Sequence, residues 1–173
     1  MSLTELLVVC ALMGLVLAVV YMGIQFAYQA QTVAEKQAQF AREITGPLNM
    51  MDISFSQRVP LAGSTYNEYS ATVRLPADYR PGQILEHTYT ATADGRLSRM
   101  VHRVYGTARS LESSDTLSEV NVNVANSKPL FRYYASGSPT TSVNAADYVI
   151  VDVYVEKDGE EYSDSRTIYF RNR

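Results

Sequence analysis

Between Leu6 and Ala34 the chain has no aspartate, glutamate, lysine or arginine. No cation precedes that run either: the first five residues are Met-Ser-Leu-Thr-Glu, and the first basic side chain is Lys36. The missing basic start, together with the length of the run, argues against a cleavable secretory signal, which has a charged opening and a shorter apolar centre. Cysteine is nearly absent. The single one, Cys10, lies inside the uncharged run, which excludes an intrachain disulfide and a cysteine-based metal centre. Basic side chains do not outnumber acidic ones, 15 against 18. The chain therefore lacks the positive excess of nucleic-acid-binding domains and of segments drawn electrostatically to anionic lipid. Tryptophan is absent while tyrosine is plentiful, 13 residues, as suits a sheet with one solvated face.

What is present is a membrane-length apolar segment with a carboxylate at its lip. As a helix at about 1.5 Å per residue, Leu6 to Ala34 would reach roughly 44 Å, more than a bilayer core of about 30 Å requires. Leu3 continues the apolar pattern on the other side of Glu5, so the glutamate belongs to the helix rather than to a preceding loop. A lone carboxylate in a spanning helix costs about 2.5–3.5 kcal/mol on insertion scales, and the partial positive charge of the helix start offsets some of that. Two readings stand: Glu5 lies in the headgroup region, or it takes a cation from another chain. In a stack of identical helices the nearest such cation is the α-amino group of a neighbour's Met1.

The stretch MSLTELLVVCALMGLVLAVVYMGIQFAYQ resembles the mature amino terminus of the type IV pilin and pseudopilin family, at Met1, Ser2, Leu3, Glu5, Leu6 and Gly14. The resemblance implies a class III signal, removed by a prepilin peptidase, N-methylation of Met1, and pairing of Glu5 with the Met1 amine of an adjacent subunit. It also implies an inner-membrane assembly platform as partner, and minor pilins as possible companions. Many members carry a proline where this chain has Met22; two glycines, Gly14 and Gly23, remain as points of helix flexibility, each costing up to about 1 kcal/mol of helicity. GRLSRMVHRVYG and the ending TIYFRNR bear a weaker similarity to the larger minor pilins and pseudopilins.

The remainder, about 140 residues, is long enough for its own core. Val33, Phe40 and Ile44 keep a narrow apolar stripe at helical spacing, with Met51 as an extension, and Thr45-Gly46-Pro47 predicts a kink or an end. Beyond residue 52 the period turns to two. Tyr69 to Leu75 alternates, Asp94-Gly95 joins Ile84–Ala93 to Arg96–Tyr105, and Asp158-Gly159 joins Tyr148–Glu156 to Glu161–Phe170, both as hairpins. Val120 to Val124 and Leu130 to Ala135 predict further short strands, whereas Ala108–Ser118 and Ser136–Ala146 lack periodicity and predict loops. Pro76 and Pro81-Gly82 predict a turn region. The sum is an α+β fold: residues 1–34 an apolar membrane or filament-core helix, 35–52 the second half of the same helix, and 53–173 an antiparallel β-rich head.

No enzyme motif is present: no G-x-S-x-G, no Walker loop, no H-E-x-x-H. His87 and His102 fall on opposite strands of the first hairpin, too few ligands for zinc. Glu156, Asp158, Glu160, Glu161 and Asp164 cluster near the second turn and read as a solvated charged end rather than a calcium loop. Arg96, Arg99 and Arg103 make the first hairpin locally basic. DNA retention is one expectation for them, and salt bridges to acidic patches a more economical one. No catalytic residue, metal or cofactor is expected. The functional expectation is a structural subunit of a pilus-like homopolymer, held in the cytoplasmic membrane before assembly and on the cell surface after it. A minor pseudopilin of a type II secretion or competence machine, and a signal-anchored surface binding module, are the alternatives.

Overall fold

The computed structural model describes residues 2–57, 66–77, 82–141 and 145–170. Met1, Pro81, the 142–144 part of the predicted second loop and the ending Arg171-Asn172-Arg173 lie outside them. The chain forms two compact units, Met1–Gln39 and Phe40–Arg173, and helix runs without a break from Leu3 to Ser56.

The first unit is helix alone. α1, Leu3–Phe40, buries none of its side chains, and Val33, expected to join the core stripe, is 54 % exposed. In the second unit the helix changes pitch at Ala41–Thr45, a π turn, before α2, Gly46–Ser56. Of the kink or end predicted at Thr45-Gly46-Pro47, the end is absent: the helix continues through a widened turn. Proline has no N–H to give and its ring collides with the carbonyl four residues back. Here the Gly46 N–H reaches Ala41 O, one residue further than an α bond, and Pro47 takes a place in the first turn of α2, where no N–H is needed. Ile44, Leu48, Met51 and Phe55, spaced by a turn each, form the buried face.

Among the described residues, nine strands build two antiparallel sheets. In the first, β1 (Tyr66–Asn67), β2 (Ser70–Pro76), β3 (Gln83–Ala91), β4 (Leu97–Tyr105) and β5 (Ala108–Ser118) lie in chain order. In the second, β6 (Phe131–Ala135), β7 (Ser138–Pro139), β8 (Tyr148–Lys157) and β9 (Glu160–Tyr169) take the order β7-β6-β8-β9. Alternation does what the sequence implies: Ala71, Val73 and Leu75 on β2 and Val149, Val151, Val153 and Val155 on β8 all point into the core. Phe55 sits between the sheets, its ring centroid 6.2 Å from Tyr89 and 5.6 Å from Phe131. Asp158 and Gly159 both have positive φ, 54° and 77°, the geometry of the tight turn that asparagine or aspartate followed by glycine favours between strands.

Two expectations fail for physical reasons. Ala108–Ser118 is not a loop but the eleven-residue edge strand β5. Nearly all of it is wet on both faces, so it has no apolar alternation to read. Its register with β4 shifts twice, at Leu97/Ser98 and Val101/His102, bulges of the kind that protect an edge from further pairing. Conversely, Val120–Val124 is no strand. Only Asn121 bridges to Val155, because the buried Asn123 side chain takes the part of a backbone partner. Asn123 Oδ1 accepts from Tyr154 N–H at 3.0 Å and from Asn121 Nδ2 at 2.8 Å, while its Nδ2 donates to the carbonyls of Asp152 and Lys128 at 2.7 and 3.2 Å.

Removing that side chain leaves several buried partners unsatisfied, each worth about 1–3 kcal/mol. Asn123→Ala should therefore lower the unfolding free energy of the full chain in detergent micelles by at least about 2 kcal/mol. Asn121→Ala, with fewer bonds to lose, should cost less. Urea titrations followed by tyrosine fluorescence measure both, and equal small losses would show that the network carries no weight.

Candidate functional site

The start of α1 is where chemistry and an unmet surface coincide. Ser2 is the residue before the helix. Its Oγ accepts from the Glu5 N–H at 3.3 Å, and its own N–H donates to Glu5 Oε2 at 2.8 Å. This reciprocal pair is a capping box: two of the donors that a helix start leaves orphaned are satisfied by side chains. The Ser2 carbonyl accepts from Glu5 N–H and Leu6 N–H at 3.1 and 3.3 Å, and Ser2 Oγ shares a hydrogen bond with Thr4 Oγ1 at 2.7 Å. Glu5 is thus not wholly unpaired in its own chain. Oε2 is engaged, and Oε1 meets no donor among the described residues. The S-x-x-E signature of the box is plain in Ser2-Leu3-Thr4-Glu5; sequence reasoning on the isolated charge passed over it. Met1, the other residue singled out there, lies outside the described residues.

Above this start the first half of α1 is apolar all round. Its most apolar window has a mean hydropathy of 2.7 and none of that window is buried, so the helix is long and apolar enough to cross a membrane. Gly14 and Gly23 lie within regular helix, with open space where a Cβ would stand. The absence of charge up to Ala34 conceals a change of character near Tyr21. From there polar side chains appear and are satisfied along the helix itself. Gln25 Nε2 donates to Tyr21 Oη at 2.7 Å, Thr32 Oγ1 to the Tyr28 carbonyl at 2.9 Å, and Gln31 Nε2 to Glu35 Oε1 at 2.9 Å. The wholly apolar portion, Leu6 to Ile24, with the capped turn before it, rises roughly 33 Å, close to the thickness of a bilayer core.

The head offers no comparable centre. Arg99 and Arg103 do share a face of β4, but Arg99 Nη2 lies 2.6 Å from Asp115 and Arg103 Nη2 2.5 Å from Glu112, both on β5. Arg96 pairs with Asp94 beside it. The expected basic stripe is thus compensated within its own sheet, the arginine–glutamate bond holding the Glu112 carboxyl below its usual range. On the opposite face Glu86 is buried between Arg74 at 2.6 Å and Arg109 at 3.1 Å. The acidic turn is dispersed too: Glu161 pairs with Lys128 at 2.5 Å and Glu160 accepts from Tyr162. Among the described residues no group of three His, Cys, Asp or Glu side chains could hold a metal ion.

The two histidines do not meet. His87 is opposite Val101 and His102 opposite Glu86, so they alternate to different faces. His102 Nδ1 lies 3.3 Å from Arg109 Nη2. His87 faces α2, its Nδ1 3.1 Å from Ser54 Oγ, which in turn lies 2.7 Å from Tyr89 Oη. Burial, and then the Arg99 charge, push the His87 pKa below 6.5, against a smaller opposing pull from Glu112. A group that binds its proton less readily folded than unfolded makes stability rise with pH between the two pKa values. The full chain in micelles should accordingly hold constant stability above about pH 6.5 and lose it on acidification below that. In His87→Gln the loss should shrink until the carboxylates titrate. Denaturation midpoints at pH 7.5, 6.5 and 5.5 measure it, and a His87→Gln profile parallel to the parent's would remove His87 as the cause.

The apolar helix and its capped glutamate rest on this chain's own geometry, for no protein-family model, no curated protein and no solved structure matches it.

Proposed function

We propose that this chain is a structural subunit of a type IV pilus-like filament. α1 holds it in the cytoplasmic membrane and then packs among copies of itself, while the β-rich head forms the exterior of the filament on the cell surface. The observation that carries this reading is the combination at α1: a membrane-length apolar helix with nothing covering it, opened by a carboxylate that keeps one oxygen without a donor among the described residues. Lipid and a bundle of like helices are almost equally apolar, so apolar area does not decide between them, and packing together with polar pairing must. Gly23, Ala27, Ala30, Ala34 and Ala38 recur at three- and four-residue spacing. That spacing puts small side chains on one helix face, which lets a second helix approach closely. Pairing of Glu5 with the Met1 amine of a neighbour supplies the polar term and sets the stagger. Gly14 and Gly23 are where α1 would loosen to fit a curved bundle. The chain itself is not the motor: an assembly platform drives growth, and a prepilin peptidase exposes and methylates Met1.

Glu5→Gln separates charge from capping, because glutamine also closes a capping box. In cells carrying the assembly machinery, Glu5→Gln should leave a membrane-held subunit with an intact head and reduce sheared filament at least tenfold; Glu5→Ala should do the same. Normal filament yield from Glu5→Gln would sink the ionic pairing. Intact-mass measurement of subunits from native filaments should show a methyl group on the Met1 amine, and an unmodified amine or a longer amino terminus would contradict the family reading.

A further inference from the structure

We infer that the head carries a carbohydrate-binding cleft, suited to a short neutral saccharide. A cleft of about 310 Å³ opens beside β6, between Glu68 in the β1–β2 turn and the end of β7. That volume is at the small end of ligand sites. Pro129, Tyr134 and Pro139 give its walls flat apolar rings, and Glu68, Arg132 and Thr140 set polar groups among them. The arrangement follows from the alternation of β6. Phe131 and Tyr133 are buried in the core, so Arg132 and Tyr134 share the other face of the second sheet. Register then sets Tyr134 opposite Tyr148 on β8, and Tyr148 opposite Tyr169 on β9. The Tyr134 and Tyr148 rings are 7° from parallel with centroids 5.1 Å apart, and Tyr169 braces Tyr148 at 5.4 Å. One face of Tyr134 is thus covered and its plane is fixed before anything binds. A ring held in this way loses little freedom when a flat ligand packs on it.

The polar groups decide the class of ligand. Asp152 holds Arg132 at Nε, 2.8 Å, and at Nη2, 2.7 Å. The guanidinium is thereby positioned and its charge matched, while 44 % of the side chain stays exposed. A carboxylate only accepts hydrogen bonds, a guanidinium only donates them, and a threonine hydroxyl does both. A sugar ring answers that set: its rim of hydroxyls donates and accepts, and its C–H face lies on the electron-rich face of an aromatic ring. A nucleic-acid strand does not, because it brings a phosphate with every nucleotide to a cleft whose guanidinium is already paired and whose rim holds the Glu68 carboxylate. The cleft lies wholly within the second unit, so the inference depends on neither the membrane nor the filament.

The test is an NMR titration of the full chain, labelled with 13C at tyrosine, in phosphocholine micelles, which carry no sugar of their own. The probes are lactose, cellobiose and diacetylchitobiose, each taken to about 10 mM, tenfold above a millimolar dissociation constant. At least one should shift the Tyr134 ring resonances saturably and leave those of Tyr21 and Tyr28 on α1 unchanged. Glu68→Ala keeps the backbone carbonyl that accepts from Leu130 and Phe131 N–H at 2.8 and 3.0 Å, and it alters an exposed turn. It should stay folded and weaken saccharide binding at least about fivefold, as the loss of one hydrogen bond to a charged group implies. Tyr134→Phe keeps the ring and, read at Tyr148, should bind within about threefold of the parent, whereas Tyr134→Ala should lose the shifts. A spectrum that none of the saccharides changes overturns the inference, as does binding that Glu68→Ala leaves at parental strength. A single-stranded oligothymidylate or a proline-rich peptide that shifts Tyr134 where the saccharides do not assigns the cleft to that partner and overturns it equally.

Discussion

Every other feature of this protein is subordinate to one constraint: the apolar first half of α1 is covered by none of the described residues. None of the residues of α1 is buried. At about 25 cal/mol per Å² of exposed apolar surface, such a helix favours an apolar medium, whether lipid or other helices like it. Either choice demands that backbone groups be satisfied within the helix, and the exposed start is where that demand is hardest to meet. The capping box between Ser2 and Glu5 answers it locally. It brings a negative charge to the boundary of an apolar medium, and the fate of that charge becomes the question on which function turns.

The head is built so that it makes few electrostatic demands of its own. The arginines of β4 are matched by carboxylates of β5, Glu86 is held between two guanidinium groups, and Arg132 lies 2.7 Å from Asp152. Exposed pairs of this kind contribute little stability, but they leave the surface compensated over short distances. Cohesion comes from the apolar faces of two sheets closing on Ile44, Leu48, Met51 and Phe55. The π turn lets that helical face continue past Pro47 without losing its register against the strands. A head whose charges are spent internally is one that identical copies can approach without strong mutual repulsion.

How much of this was legible depends on whether a segment's period has one cause. The valines of β8 and the Asp158-Gly159 turn were readable because one face is buried and one is wet, and because few residues accept positive φ. The apolar helix was readable from length alone. β5 was not: an edge strand largely wet on both faces is mostly serine, threonine and charge, the composition of a loop, with Leu111 and Leu117 too few to set a period, and its pairing is fixed by Arg99 and Arg103 on a strand already placed. Val120–Val124 misled in the opposite direction. Its alternation is real, but the asparagines between the valines face inward, and beyond the backbone bonds at Val120 and Val122 the buried Asn123 amide takes the place of a backbone partner toward Tyr154 and Asp152. Pro47 read as a stop because a sequence does not announce that a helix can widen by one residue. The capping role of Ser2 was legible too, in the S-x-x-E spacing of Ser2 and Glu5.

The energies at Glu5 explain why a single carboxylate can serve both states. A charge at the centre of a spanning helix costs about 2.5–3.5 kcal/mol, and less at its end. Against this stand about 0.3–1 kcal/mol from the helix dipole and about 1.5–3 kcal/mol from one charge-assisted hydrogen bond. The terms nearly cancel, so in the proposed function a lone subunit would be tolerated in a membrane and need not aggregate at once. What remains is an oxygen with capacity for one more donor, where the surrounding medium offers none. In the proposed filament its gain on meeting a cation would be modest for one contact, yet available at one stagger only, since a shift along the helix by a residue would remove it. Repeated at every subunit, a small term with a sharp positional dependence would fix register more surely than a larger apolar term that varies smoothly along the helix.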